Sequence, residues 1–295
     1  MDTRKLFVIG WNKLAPCLSD KLFLKGKFYL RMGYFPNLSN PKSFQEKLQW
    51  LKLNNKKPIF TNMVDKYEAK KYVAELVGEE HIIPTIGVWD RVEDIPWDKL
   101  PNKFVIKPTH DSGGLVICKD KSRLDIEKAK KKLHKALKHD YYITSREWPY
   151  KNVKKRIIAE ELLEDDKHSV DGSLNDYKFY CFNGKVTYCE VITGRYTKKA
   201  IDFFDLNWNH VDFCFDGYQY SDTPIEKPEL FDEMVEVVGK LCKDLPYSRI
   251  DVYCANGNVY FGEITFFPAS GCKGFYPKEW NQKLGDMIDL NMVNK

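Results

Sequence analysis

Two β-type runs late in the chain constrain it most: Arg249-Ile250-Asp251-Val252-Tyr253 and Val259-Tyr260-Phe261-Gly262-Glu263-Ile264-Thr265, with Asn256-Gly257 between them. Both are rich in β-branched and aromatic residues, each carries an acid, and the turn pair is the strongest short-range hairpin signal. Side chains alternate faces along a strand, so the register decides whether Asp251 and Glu263 meet. A two-residue turn pairing Ala255 with Asn258 sets Asp251 opposite Gly262 and turns Glu263 away. A three-residue loop, Asn256-Gly257-Asn258, pairs Ala255 with Val259 and sets Asp251 opposite Glu263. We expect the second register. Two facing carboxylates repel unless a cation lies between them, so such a pair reads as a metal clamp. On the hairpin alone, two solvated acids explain the pattern as well.

A second segment shifts that balance. Asn102 to Pro108 reads as a buried strand ending in Lys107-Pro108, and Thr109-His110-Asp111-Ser112-Gly113-Gly114 follows before a second strand, Leu115 to Cys118. A small flexible loop between strands folds backbone N–H groups over phosphate oxygens, with a lysine as point charge. By itself Gly-Gly is an ordinary turn and Lys107 a snorkelling side chain. With the late acids, the pair becomes a nucleotide and Mg²⁺ hypothesis. Arg156-Ile157-Ile158-Ala159-Glu160-Glu161-Leu162-Leu163 is a strand running into paired acids. Asp176 to Phe182, Asn183-Gly184 and Lys185 to Val191 form another hairpin, with a type I′ turn.

In order, Asp65-Lys66, Lys107-Pro108 with its glycine loop, Glu160-Glu161-Leu162-Leu163, Asp176-Tyr177-Lys178, Arg249-x-Asp251 and Glu263-x-Thr265 resemble an ATP-grasp enzyme. Within that superfamily, Glu147-Trp148-Pro149-Tyr150, Asp176-Tyr177-Lys178-Phe179-Tyr180 and Phe261-Gly262-Glu263 resemble the TupA-like family, associated with teichuronopeptide and other bacterial surface polysaccharides. The likeness covers residue 40 or so onward.

The resemblance implies a role for each matching residue. Lys66 and Lys107 hold the α and β phosphates, and Ser112, Gly113 and Gly114 belong to a mobile loop over the triphosphate. Glu160 faces the adenine amino group, the Glu161 and Leu163 backbones read the adenine edge, and Asp176 sits near the ribose. Lys178 stands where related ligases carry an arginine facing phosphate or the acyl substrate. Arg249 stabilises the acyl phosphate and tetrahedral intermediate, and Asp251 and Glu263 bind Mg²⁺. Related enzymes place an asparagine ligand two residues after the glutamate. This chain has Thr265 there, and a hydroxyl also ligates a hard cation. On this reading Lys107→Ala or Asp251→Asn abolishes turnover and leaves the melting temperature nearly unchanged.

The implied activity is an ATP- and Mg²⁺-dependent carboxylate-amine ligase of the EC 6.3 type, which joins an amino acid or amine to a uronic acid or amino-acid carboxylate. Its substrates are small molecules or nucleotide- or lipid-linked sugars. A kinase phosphorylating a sugar hydroxyl and a nucleotide-binding scaffold without turnover are the other readings. Lysine, arginine and Mg²⁺ suit a developing phosphoryl charge, and no side-chain nucleophile is required. Eight cysteines without C-x-x-C spacing fit bystander roles, and six histidines are scattered without ligand spacing; His110, in the glycine loop, either contacts substrate or packs that loop.

Aromatic residues at 14% and charged residues at 30% exclude a disordered chain. No apolar run is long enough to span a bilayer or to serve as a secretory signal, so a cytoplasmic enzyme is expected. Residues 1–60 hold twelve Lys/Arg against Asp2, Asp20 and Glu46; this +9 leaves −4 for the remainder of a chain of net +5. That basic, aromatic-rich stretch suits peripheral contact with an anionic membrane as well as an ordinary solvated face. Lys130-Lys131-Lys132 lies on the outer face of a helix after a Ser122-x-x-Asp125 capping box, so no nucleic-acid partner is expected.

The expected fold is α+β: two ATP-grasp lobes sandwiching ATP, behind a helical basic N-terminal extension. Residues 1–58 form that extension, 59–103 an N-terminal subdomain, 104–163 the first lobe and 164–295 the second lobe with the metal and substrate site.

Overall fold

The computed structural model describes residues 3–111, 113–164, 174–194 and 198–294. Its helices are α1 (Thr3–Lys13), α2 (Asp20–Met32), α3 (Phe44–Asn54), α4 (Ile59–Val64), α5 (Glu68–Val77), α6 (Ile126–Lys138), α7 (Tyr141–Ser145), α8 (Phe231–Leu241) and α9 (Trp280–Asp286). Its strands are β1 (Thr85–Trp89), β2 (Phe104–Pro108), β3 (Val116–Cys118), β4 (Ile157–Glu160), β5 (Asp176–Phe182), β6 (Lys185–Thr193), β7 (Ala200–Phe204), β8 (His210–Val211), β9 (Cys214–Phe215), β10 (Tyr247–Ala255), β11 (Asn258–Thr265) and β12 (Phe275–Tyr276). They form a four-stranded sheet, β1-β4-β2-β3, a six-stranded sheet, β11-β10-β5-β6-β7-β8, and a β12-β9 pair.

Both expected hairpins lie in the larger sheet, β10–β11 at its edge and β5–β6 beside it in the interior. Asn183 and Gly184 have φ 52° and 74°, and Asn256 and Gly257 have φ 52° and 75°, so both turns are two-residue and left-handed throughout. The three-residue loop expected after Ala255 is therefore not formed: Ala255 pairs with Asn258. Asp251 still faces Glu263, because the ladder skips Gly262 between Phe261, opposite Val252, and Glu263. A β-bulge supplies the offset that we had assigned to the loop. Glycine fits there because a Cβ would lie 2.9 Å from the Asp251 carbonyl oxygen.

The alternation of β10 sorts core from site. Ile250 and Val252 are fully buried on the face carrying α8, where the Phe179 and Phe231 rings lie 5.7 Å apart. Arg249 and Asp251 point to the opposite face. There α3 packs its apolar stripe, with Phe44 5.0 Å from Tyr247 and 5.6 Å from Phe275. Ser43 and Glu46 close a capping box that starts α3. Phe44, Leu48 and Leu51 belong to the main hydrophobic core, so the division at residue 58 cuts a packed unit and not a detached extension.

The smaller sheet corrects a second boundary. β1 pairs along β4, from Trp89 opposite Ile157 to Thr85 opposite Glu160, so this lobe's sheet begins at residue 85 and not at 104. Val92, Ile95, Trp97 and Leu100 then cover Phe104, Ile106 and Leu133 in a separate core. The α6 cap also differs from expectation: Asp125 itself accepts from the Lys128 amide at 2.9 Å, and Ser122 sits in a preceding 3₁₀ turn. Among the described residues, no helix is long and apolar enough to cross a membrane.

Candidate active site

A cavity of about 360 Å³ opens between the two sheets. From the smaller sheet come Val105 and Lys107, two apart on β2 and so on one face, while Phe104 and Ile106 between them are fully buried in the core. From the larger sheet come Asp176, Lys178, Asp251 and Glu263. Ile83, Ile117, Leu162 and Leu174 give the cleft an apolar wall. One charged end and one apolar end in a single cleft suit a nucleotide.

Strand pairing assembles the charged end. Lys178 on β5 lies opposite Asp251, and Asp251 lies opposite Glu263, so one row crosses three strands. Arg249, two residues earlier on the same face, lies opposite Thr265. Its guanidinium donates to Asp251 Oδ1 at 2.7 Å, to Asp251 Oδ2 at 2.9 Å, to Glu263 Oε1 at 3.1 Å and to Thr265 Oγ1 at 3.2 Å. Thr265 in turn donates to Glu263 Oε1 at 3.1 Å. The Lys178 ammonium bonds Asp251 Oδ2 and lies 3.1 Å from Asp176. Burial pushes the Asp251 carboxyl upward, opposed by Arg249 and Lys178. Glu263 would rise on burial too, yet Lys66, Arg249 and Lys178 hold it down at about 2.

The opposite wall is a lysine cluster around one acid. The Lys107 ammonium pairs with Glu160 Oε2, and Lys70 lies 2.6 Å from Glu160 Oε1. Burial raises the Glu160 carboxyl, but the two lysines outweigh it and leave it below its ordinary value. Lys66 donates to the Asp111 carbonyl at 2.9 Å, fixing it against the glycine loop. Burial lowers Lys66, with Glu263 opposing. Arg156 supports this wall from behind, at 2.9 Å from Asp65 and 2.7 Å from Glu68.

The structure thus gathers Lys66, Lys107, Gly114, Glu160, Glu161, Leu163, Asp176, Lys178, Asp251 and Glu263 around one cavity, with Arg249 and Thr265 bonded to its acids. Gly113 is exposed beside it, and Ser112 lies outside the described residues. Glu160 is held as the counter-ion of two lysines, and the Glu161 amide already donates to the Pro84 carbonyl at 3.1 Å. Lys70 was not expected, although its position four residues after Lys66 offered a signal. His110 is buried in its loop with Nε2 3.3 Å from the His139 carbonyl.

The donor set fits Mg²⁺. Two facing carboxylates and a hydroxyl are hard oxygen donors, and Mg²⁺ binds through one or two carboxylates while phosphates and waters complete its shell. Among the described residues, no group of three or more His, Cys, Asp or Glu forms a self-sufficient metal cage.

Two α+β lobes, each a sheet with its own core, enclose a cleft with lysines on one wall and an Arg-Asp-Glu cluster on the other: this is an ATP-grasp fold. The chain belongs to the TupA-like ATP-grasp family, whose sequence model matches residues 46–289. Similar solved structures include a D-alanine–D-alanine ligase from Bacillus anthracis complexed with ATP (18% identity, 79% of this chain, 65% of that one, TM-score 0.44). The D-alanyl-alanine synthetase A of Vibrio cholerae is another (11%, 79%, 65%, TM-score 0.42). A third is the ATP-grasp ligase PsnB with minimal precursor, Mg and ADP (13%, 75%, 57%, TM-score 0.39). The chain spans less than two thirds of the length of each. No curated protein matches it.

Proposed function

We propose that this protein is an ATP- and Mg²⁺-dependent ligase that activates a carboxylate and joins it to an amine, acting on a building block of a bacterial surface polysaccharide. The observation carrying this reading is the single cavity in which Lys66 and Lys107 face Asp251 and Glu263. Membership of the TupA-like family supports the polysaccharide assignment, with a uronic acid or amino acid as carboxylate and an amino acid or amine as partner.

The base lies against Ile83, Ile117, Leu162 and Leu174, read by the Glu161 carbonyl and the Leu163 backbone. Asp176 takes the ribose. Lys66 and Lys107 neutralise the phosphates, and the Gly113-Gly114 loop covers them. Asp251, Glu263 and Thr265 would hold Mg²⁺, which would supply charge neutralisation for phosphoryl transfer. Lys178 and Arg249, already seated beside these acids, supply positive charge toward the anionic substrate. Arg249 then stands where negative charge develops on the acyl group, fixed beforehand by Asp251.

The test is phosphate release from ATP by the purified protein with a panel of uronic acids, amino acids and amines. Free phosphate together with an amide product, lost in Glu263→Gln, is expected. A phosphorylated acceptor without free phosphate would make the enzyme a kinase, and nucleotide binding without product would make it a scaffold.

A further inference from the structure

The helical hairpin α1–α2 carries an unbalanced surface. Residues 3–35 contain seven Lys/Arg and one acid, Asp20. That acid is turned inward, 3.0 Å from Arg146 and accepting from the Tyr142 hydroxyl at 2.9 Å. Lys27 is also spent inward, on the Thr144 carbonyl. Lys13, Lys21 and Arg31 stay exposed. Among them stand large apolar groups that the core does not take: Phe7 is 67% exposed, Leu22 52% and Phe35 65%. Leu22 and Tyr29 are two turns apart on one face of α2, and Tyr29 stacks on Phe35 with centroids 4.5 Å apart. Val8 and Phe23 of the same helices are buried, so each helix turns its exposed apolar groups away from the core.

We propose that this face docks on an anionic lipid bilayer, its aromatic and leucine side chains entering the headgroup layer and its cations meeting lipid phosphates. A second copy of the chain is disfavoured, because pairing two such faces opposes like charges. A soluble polyanion would use the cations and leave Phe7, Leu22 and Phe35 without a role. The placement deepens the ligase reading and rests on it. Arg146 donates to the Ala15 and Leu18 carbonyls, its neighbour Glu147 lies 4.0 Å from Lys52, and Lys52 donates to Ser270 in the loop following β11. These contacts tie α1–α2 through Arg146 and Lys52 to the loop after β11, so docking holds the body of the enzyme at the surface where a lipid-linked substrate lies.

The experiment is vesicle co-sedimentation of the full chain without nucleotide. One set of vesicles is phosphatidylcholine alone; the other holds about a third phosphatidylglycerol. Binding to the anionic set, weakened by salt, is expected. Lys13→Glu with Lys21→Glu should reduce it at least about tenfold, and Phe7→Ser with Phe35→Ser comparably. Each variant should keep the wild-type thermal shift with Mg-ATP. Absence of binding overturns the docking proposal even where that shift persists, and loss of the shift alone counts only against the ligase reading. Three further results also overturn docking: insensitivity to the Phe variants, equal competition by soluble polygalacturonate, or a dimer in light scattering that the same Phe variants dissolve.

Discussion

Arg249 binds both carboxylates of the site, and this changes what substitutions there should do. Asp251 is 2% exposed and bonded to two cations, so Asp251→Asn leaves Arg249 and Lys178 short of a buried partner. We expect it to cost about 3 kcal/mol in addition to activity, in contrast to the nearly unchanged melting temperature that the sequence led us to expect. Glu263 opens to the cleft, its side chain 38% exposed, and is the cleaner probe. Glu263→Gln should lower turnover by about 10²-fold or more at a smaller cost in stability than Asp251→Asn; full activity would remove Glu263 from the metal site. Lys27 offers a pH test. Burial lowers its ammonium to about 8, with Lys52 contributing, so between pH 8 and 10 the unfolded chain binds the proton that the folded one has lost. Stability should therefore rise with pH across that window and fall again as pH drops through it. Urea titrations of Lys27→Met should show a flatter rise; an identical slope would mean that Lys27 is not buried in solution.

At the scale of elements, the hairpins were legible because Asn-Gly requires left-handed backbone and little else explains it at those positions. The facing of Asp251 and Glu263 was legible too, through the wrong device. A loop longer by one residue and a bulge of one residue give the same offset, and a sequence does not distinguish them until the glycine is seen against its neighbours. Gly262→Ala should cost on the order of 1–3 kcal/mol and weaken Mg²⁺-dependent nucleotide binding, since its Cβ meets both the Asp251 carbonyl and the Tyr253 ring at 2.9 Å. A neutral substitution would mean that the bulge can shift at no cost. The role of α3 was hidden by its charges. Lys52 counts toward the basic stretch of residues 1–60, yet it is buried and donates to the Ser145 and Ser270 carbonyls. Buried polar contacts of this kind join distant segments, and local periodicity carries no trace of them.

Across the whole molecule, the two lobes present opposite walls of one cleft, so a nucleotide binds only when both are folded. Mg-ATP at about a hundred times its dissociation constant should stabilise the chain by about 2.7 kcal/mol, read as a rise in melting temperature that chelating the metal reverses. A shift of equal size without the metal would remove Mg²⁺ from the site. The order of motifs along the chain revealed this architecture, while the lobe boundaries stayed hidden because β1 and α3 serve sheets that form later in the sequence. The seat of α3 has a consequence for synthesis. Each hairpin closes over a few residues and can form as soon as it leaves the ribosome. The Gln45 amide, by contrast, meets Asn281, 236 residues further on, and Phe44 waits for Tyr247 and Phe275. The helix carrying Phe44, Leu48 and Leu51 is thus made long before the segments that house it, its apolar stripe open to chaperones while the intervening chain is translated.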